Sequence, residues 1–422
     1  MKKALLLFTI AVICLVSSSF VLAKDTLVLW DIRTESDNST PAVLDAIARF
    51  EADHPGVTIK HEPISNDNYK TRIRTAMAAN NEPDIFMTWG SSSLELYVDN
   101  GKVLDLSSYL TNEWLDGFVP ASLGLGMFDG KYYGLPVTSM NTALIYYRTD
   151  LFEKYGLEVP KTYNELLNVI EVLKENNIIP FTLANKTRWT GSMYFVYLAD
   201  RIGGPEALEN AINRTGAFND ESFVKAGEVI QELVRKGAFP EGVNGMDEDT
   251  AQSRALIYAD KAAMYLMGSW ANGTFPSENP EINEKIDFFN FPAIEGGKGD
   301  PSSLIGTPGD NYYSVSNKCE NPELAVEFLK YLTDEKMAKE LVAVGNIPPF
   351  TGAEDKITDP KQKKTNELLK QAGFVQLWYD QALPLELAEV HLNTTQALFG
   401  LEITPEEAAN QMEAAAVEYY GK

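Results

Sequence analysis

Four tryptophans, with a few acids and amides near them, are the residues of this chain best suited to holding a ligand. Trp89, Trp189, Trp270 and Trp378 all fall just past predicted strands or in loops. The run Pro83-Asp84-Ile85-Phe86-Met87-Thr88-Trp89-Gly90 shows the pattern most plainly, a short apolar strand that stops at an aromatic and a glycine. In open α/β sheets, ligands bind in the crevice beyond the carboxyl ends of the strands. Trp89 offers a flat apolar face there, and Gly90 lets backbone come close. Trp378 stands in Trp378-Tyr379-Asp380-Gln381, two aromatics beside an acid and an amide, and Asp310 lies in the turn-rich segment 306–311. Asn141, beside a second turn-rich segment at 135–139, and Glu35, after the first predicted strand, complete the polar set. An ionised carboxylate can accept from two adjacent hydroxyls, and such charge-assisted bonds are the stronger kind. Each residue also has a plainer reading. Tryptophans more often pack into cores, and Trp30 and Trp114 read that way. Asp310 and Asp380 could cap turns, Asn141 could hold backbone, and Glu35 reads first as a solvated acid.

Other chemistries find less support. A glycoside hydrolase needs two carboxyl groups about 5 to 10 Å apart across the scissile bond. With 60 acidic residues some pair could always be nominated, and nothing in the sequence selects one. No serine nucleophile elbow is present. His54, His61 and His391 are dispersed, whereas zinc sites want clustered ligands, so no metal and no cofactor is expected. A binder of phosphorylated polyols would need convergent cations, and Arg33, Arg188 and Arg254 are candidates without a pattern. The net charge of −24 argues against nucleic acid or an anionic membrane as partner, because either would be repelled. At 45% hydrophobic residues, the chain is no disordered acidic solvator.

The elements that must position these residues alternate. Residues 1–23 read as a cleavable signal peptide: Lys2 and Lys3, an apolar stretch from Ala4 to Val16, then Val21-Leu22-Ala23. Cys14 lies inside that segment and would serve a lipid anchor poorly behind the bulky Ile13, so a freely diffusing exported protein is expected. Cys319 is then alone, and no intrachain disulfide can form. From Thr26 to Met87 the chain reads βαβαβ, which right-handed crossovers turn into a parallel sheet covered by helices. A second α/β region follows, with a strand over 142–147, a helix opened by a Thr162/Glu165 capping box, and a helix carrying Phe223, Ile230 and Leu233 that stops at Gly237. Further strands are expected at 262–266 and 288–291, and further helices after Asn321-Pro322 and over 405–420. The two turn-rich segments, 135–139 and 306–311, interrupt regular regions and suggest two lobes joined by more than one connection, an arrangement that can hinge.

These segments, taken in order, resemble the extracellular solute-binding proteins of ATP-driven sugar importers, the carbohydrate family that includes maltose- and oligosaccharide-binding proteins. The likeness is carried by the signal peptide, Phe50 to Val57, Tyr69-Lys70-Thr71, Pro83 to Gly90, Tyr146-Tyr147-Arg148 with Asp150-Leu151-Phe152, Gly268-Ser269-Trp270, and Asn321 to Ala325. It implies an α/β, two-lobed periplasmic-binding-protein fold, each lobe a mainly parallel sheet flanked by helices, with the ligand cleft at the hinge. The lobes would be 24–138 with 310–345, and 139–309 with 346–422. It further implies a neutral saccharide as ligand, a membrane permease as partner, and no catalysis. Indole plates would take the sugar's C–H face, while acids and amides take its hydroxyl rim. A monomer is expected.

Overall fold

The computed structural model describes residues 25–421, so the expected signal peptide lies outside the described residues. The first sheet has five strands in the order Val57–Pro63, Asp25–Asp31, Ile85–Thr88, Tyr312–Val315, Leu135–Pro136. The first three are parallel, as the βαβαβ reading requires; Tyr312–Val315 runs antiparallel to both its neighbours, so Leu135–Pro136 points the same way as the first three. The second sheet centres on Asn141–Arg148, which lies antiparallel to Ala262–Gly268, Leu304–Thr307 and Ile286–Phe289. Parallel pairs add Ile179–Thr182 and Val375–Leu377 at its margins. Each sheet is therefore mainly parallel, as expected, with one reversed strand: Tyr312–Val315 in the first and Asn141–Arg148 in the second. In each lobe the reversed strand is the one that the chain enters directly from a crossing segment, without a βαβ crossover.

Local chemistry explains the helices near the sheets. Pro41 sits in the first turn of Thr40–Asp53, where a missing N–H costs nothing, and Ala42, Val43, Ala46, Ile47 and Phe50 bury one stripe. Thr162 Oγ1 accepts from the Glu165 N–H at the start of Tyr163–Glu175. Glu165 then reaches back one residue beyond the expected partner, accepting from the Lys161 N–H at 2.6 Å. Gly237, at φ +68°, ends the helix Glu221–Arg235 in the left-handed region that favours glycine.

Two large apolar cores result. One gathers Leu29, Phe50, Ile85, Phe86, Tyr313, Phe328 and Leu341; the other gathers Leu144, Tyr146, Phe181, Tyr197, Leu266, Phe288 and Leu398. Phe350 and Ala353 join the first core, and Phe350 bridges to Phe118, so the chain stays with that core past the expected 345/346 boundary. Three connecting segments lie side by side between the cores. Val137 N donates to Asn311 O at 3.2 Å, Thr138 N to Asp310 O at 3.3 Å, and Met140 N to Ile347 O at 2.7 Å. Among the described residues, no helix is long and apolar enough to cross a membrane.

Candidate ligand cleft

The tryptophans sit where the strands end. Trp89 follows Ile85–Thr88, Trp270 follows Ala262–Gly268, Trp378 follows Val375–Leu377, and Trp189 opens the helix Trp189–Gly203. Asn141 begins its strand, and Asp310 lies between Leu304–Thr307 and Tyr312–Val315. All six line one cleft of about 260 Å³ between the two cores, together with Asp380 and Gln381. Two of the expected residues do not line it. Glu35 is exposed, and Gly90 is buried beneath the wall, where a Cβ would stand 2.8 Å from the Tyr312 ring and 2.9 Å from Leu125 O. Gly90 holds φ +70° at the start of the helix Ser91–Asp99, so its role is to turn the backbone after Trp89.

Three of the indoles form a run. The ring centroids of Trp189 and Trp270 are 6.0 Å apart, and those of Trp270 and Trp378 are 6.4 Å apart, both pairs tilted by nearly 60°. Trp89 stands on the opposite wall, edge-on to Tyr69 at 6.1 Å, with Lys70 Nζ over its ring at 5.0 Å. Tyr69 is fully buried and locks its helix to the strand before Trp89, donating to Met87 O at 2.5 Å and accepting from Met87 N at 3.0 Å.

The floor is polar and almost wholly buried. Asn141 Nδ2 donates to Asp310 Oδ2 at 2.9 Å, Ser269 Oγ donates to Asn141 Oδ1 at 3.1 Å, and Asn311 supplies Asp310 Oδ1 from its backbone N at 2.8 Å and its Nδ2 at 3.0 Å. Burial raises the Asp310 carboxyl above its ordinary range; the amide donors oppose that rise without cancelling it. Asp380 is also pushed up by burial, with Lys70 opposing from 3.8 Å. Both acids thus remain costly to keep ionised, and a further donor would favour their charged form.

The remaining wall residues were largely missed in the sequence. Residues 32–34 and 36–39, the loop after the first strand, contribute Arg33 and Asp37, paired at 2.5 Å. From a second loop come Glu248 and Asp249, and from the helix Gln252–Tyr258 that follows it comes Arg254. Arg254 is held by Glu248 at 2.5 Å and by Glu278 at 2.8 Å. Burial raises the Glu248 carboxyl, whereas Arg254 and Tyr258 hold that of Glu278 below its ordinary range against burial. Arg33 and Arg254 had stood out only as isolated cations; the one available signal was that a loop after a strand's carboxyl end belongs to a ligand crevice.

Of the ten non-glycine residues with positive φ among the described residues, four stand beside the cleft. Ser91, Arg188, Ala251 and Asn311 all have φ between +48° and +65°, and each neighbours or lies within two residues of Trp89, Trp189, Asp249 or Asp310. Positive φ in such residues is uncommon and persists only where the surroundings impose it.

Comparison with known proteins agrees with this geometry. Residues 35–339 match the family model described as bacterial extracellular solute-binding protein. A structure titled for xylan utilization by Caldanaerobius polysaccharolyticus superposes with a TM-score of 0.86 at 32% identity, covering 92% of this chain and 99% of that one. A chitin oligosaccharide binding protein gives a TM-score of 0.86 at 26% identity, covering 94% and 99%. The multiple sugar-binding protein of Streptococcus mutans is 25% identical over 349 residues, covering 78% of this chain and 77% of its own length. With a mixed-sheet lobe on each side of an indole-lined cleft, and with most of its length matched by that family model, the chain belongs to the bacterial extracellular solute-binding proteins.

Proposed function

We propose that this protein is the substrate-binding receptor of an ATP-driven sugar importer: it captures a neutral saccharide between its lobes by hinge closure and delivers it to the membrane permease. The observation that carries the proposal is the run Trp189–Trp270–Trp378 above the buried Asp310–Asn141 pair. Indole faces and hydroxyl-binding acids meet in one cleft, which is what a sugar's two kinds of surface require. An oligosaccharide is preferred over a single ring, because plates at successive steps of 6.0 and 6.4 Å offer more face than one pyranose covers. The sugar ligands named for relatives point the same way.

The rival readings fare worse in this cleft. Its wall holds six carboxylates (Asp37, Glu248, Asp249, Glu278, Asp310, Asp380) against three cations (Arg33, Lys70, Arg254). Each cation already stands by a carboxylate, at 2.5 Å for Arg33 and Arg254 and 3.8 Å for Lys70. A phosphorylated polyol would meet a net negative surface in which a carboxylate already stands beside each cation. A hydrolase would need open space between its two carboxyls. Glu248 and Glu278 instead clasp Arg254 between them, and the protein acts without catalysis. On the lobes, residues 25–138 with 310–353 form one and residues 139–309 with 354–421 the other, with the hinge at the three adjacent segments near 138, 310 and 347. The protein works outside the cytoplasm, freely diffusing, as a monomer.

A thermal-shift screen of the purified mature chain against neutral glycans and their phosphates tests this. Stabilisation by neutral oligosaccharides, with labelled ligand recovered intact after long incubation, is expected. Stabilisation only by phosphates, or turnover, would overturn it.

A further inference from the structure

One buried pair in the second lobe is unaccounted for by the indole run and the Asp310 floor. Ser192 lies three residues into the helix that Trp189 opens, and Trp189, Ser192 and Met193 all line the cleft, since positions i, i+3 and i+4 share a helix face. A serine inside a helix commonly bonds back to the carbonyl four residues earlier. Ser192 Oγ instead meets His391 Nε2 at 2.7 Å, and the Arg188 carbonyl takes the Ser192 backbone N–H. His391 comes from the helix Leu385–Phe399 and is 2% exposed, with the rings of Phe195 and Tyr379 each 5.3 Å from its own. That apolar cage drops its pKa to about 3, so the imidazole is neutral, with one N–H and one lone pair.

A hydroxyl has one donor and two acceptor sites. The bond to His391 uses one of them and fixes the hydroxyl's direction, leaving its remaining capacity to a ligand in the cleft that Ser192 lines. We propose that Ser192 is a specificity-determining contact that reads one hydroxyl of the bound saccharide, with His391 as the positioning residue that holds the serine in place. This rests on the carbohydrate reading above. Either imidazole tautomer makes the contact: if Nε2 accepts from Ser192, the serine receives the sugar's O–H; if Nε2–H donates, the serine gives its own. In both cases a ligand lacking that hydroxyl leaves a buried polar group short of a partner, which costs far more than a lost surface contact.

The test is calorimetric titration of the mature chain at pH 7.5 with raffinose, N,N′-diacetylchitobiose and xylotriose, for wild type, Ser192→Ala, His391→Asn and the double variant. For whichever sugar wild type binds, Ser192→Ala is expected to weaken affinity about fivefold to tenfold. His391→Asn should weaken it less, and the double variant should be no weaker than Ser192→Ala alone, because the histidine acts through the serine. Independent structural roles would give multiplied losses. Should Ser192→Ala fold poorly, Ser192→Cys keeps the volume and removes the strong hydrogen-bonding group, with the same loss expected. Wild-type affinity in the serine variants would overturn this inference alone. Wild type binding none of the three sugars, nor any other neutral glycan, would overturn the carbohydrate reading and this inference with it.

Discussion

At the scale of single residues, binding rests on a few buried faces and a few costly acids. A micromolar sugar complex needs about −8 kcal/mol. Several hydrogen bonds at about 1 kcal/mol net each, plus two or three indole faces, are of that order. Trp270 is central, because it touches both of the other plates in its run. Trp270→Ala is expected to weaken sugar binding tenfold or more, about 1.4 kcal/mol; a titration with unchanged affinity would remove the residue from the site. Asp310 gives a pH prediction. Its carboxyl is raised by burial, while Asn141 and Asn311 donate to it, Arg33 favours its charge and Asp380 opposes it. An ionised Asp310 accepts from ligand hydroxyls and a protonated one accepts less, so affinity should fall as pH drops, starting above the ordinary aspartate range. Asp310→Asn should bind more weakly at neutral pH and show a shallower pH profile. An identical slope in both proteins would assign the titration elsewhere.

At the scale of elements, the sequence revealed the strands that end in tryptophan better than the loops that face them. Ile85–Thr88 and Ala262–Gly268 are legible because they are short, mostly apolar and stopped by a polar or glycine turn. Trp89 and Trp270 could therefore be placed at one end of the sheets, whereas the strand Val375–Leu377 before Trp378 was not read from the sequence. The loop 32–39 and the segment carrying Glu248, Asp249 and Arg254 were not legible as cleft wall, because nothing in the sequence says which of their charges pair or turn inward. Glu35 was chosen for its charge, although its neighbours Thr34 and Ser36 line the cleft and it does not. A glycine makes the coupling of strand to plate testable. A Cβ on Gly268 would lie 2.1 Å from the Trp270 ring, so the last residue of the strand must be bare for the indole to fold back over it. Gly268→Ala should displace Trp270, lowering sugar affinity toward that of Trp270→Ala while the far-ultraviolet dichroism stays native. Wild-type affinity in that variant would show that the indole's position is not set by the strand.

At the scale of the whole molecule, the two lobes already touch across the cleft, and those contacts should set the balance between closed and open forms. Asp67 N, at the start of the helix Asn66–Ala78, donates to Asp249 Oδ2 at 3.1 Å, and Arg74 reaches Glu389 at 3.2 Å, which Arg188 also grips at 2.8 Å. Partly exposed pairs of this kind are worth about 0–1 kcal/mol each and weaken with salt. Such modest terms suit a receptor that must open again. The tightest cross-lobe approach is steric. Gly273, in the helix Ala271–Glu278 that Trp270 precedes, leaves no room for a side chain: a Cβ would lie 1.9 Å from Asn38 Nδ2 and 2.0 Å from Val344 O in the other lobe. Gly273→Ala should therefore act as a wedge. Its lobes would keep their own cores, and thermal unfolding of the unliganded protein should change little, because no core residue is touched. Closure around sugar would be blocked, so small-angle scattering should give a larger radius of gyration with saturating ligand than wild type gives. Sugar affinity should fall at least tenfold, mostly through faster dissociation, since a ligand held by one lobe keeps only part of its contacts. A variant that contracts on binding as wild type does would mean that the lobes close along a different path, and the hinge near residues 138, 310 and 347 would have to be reassigned.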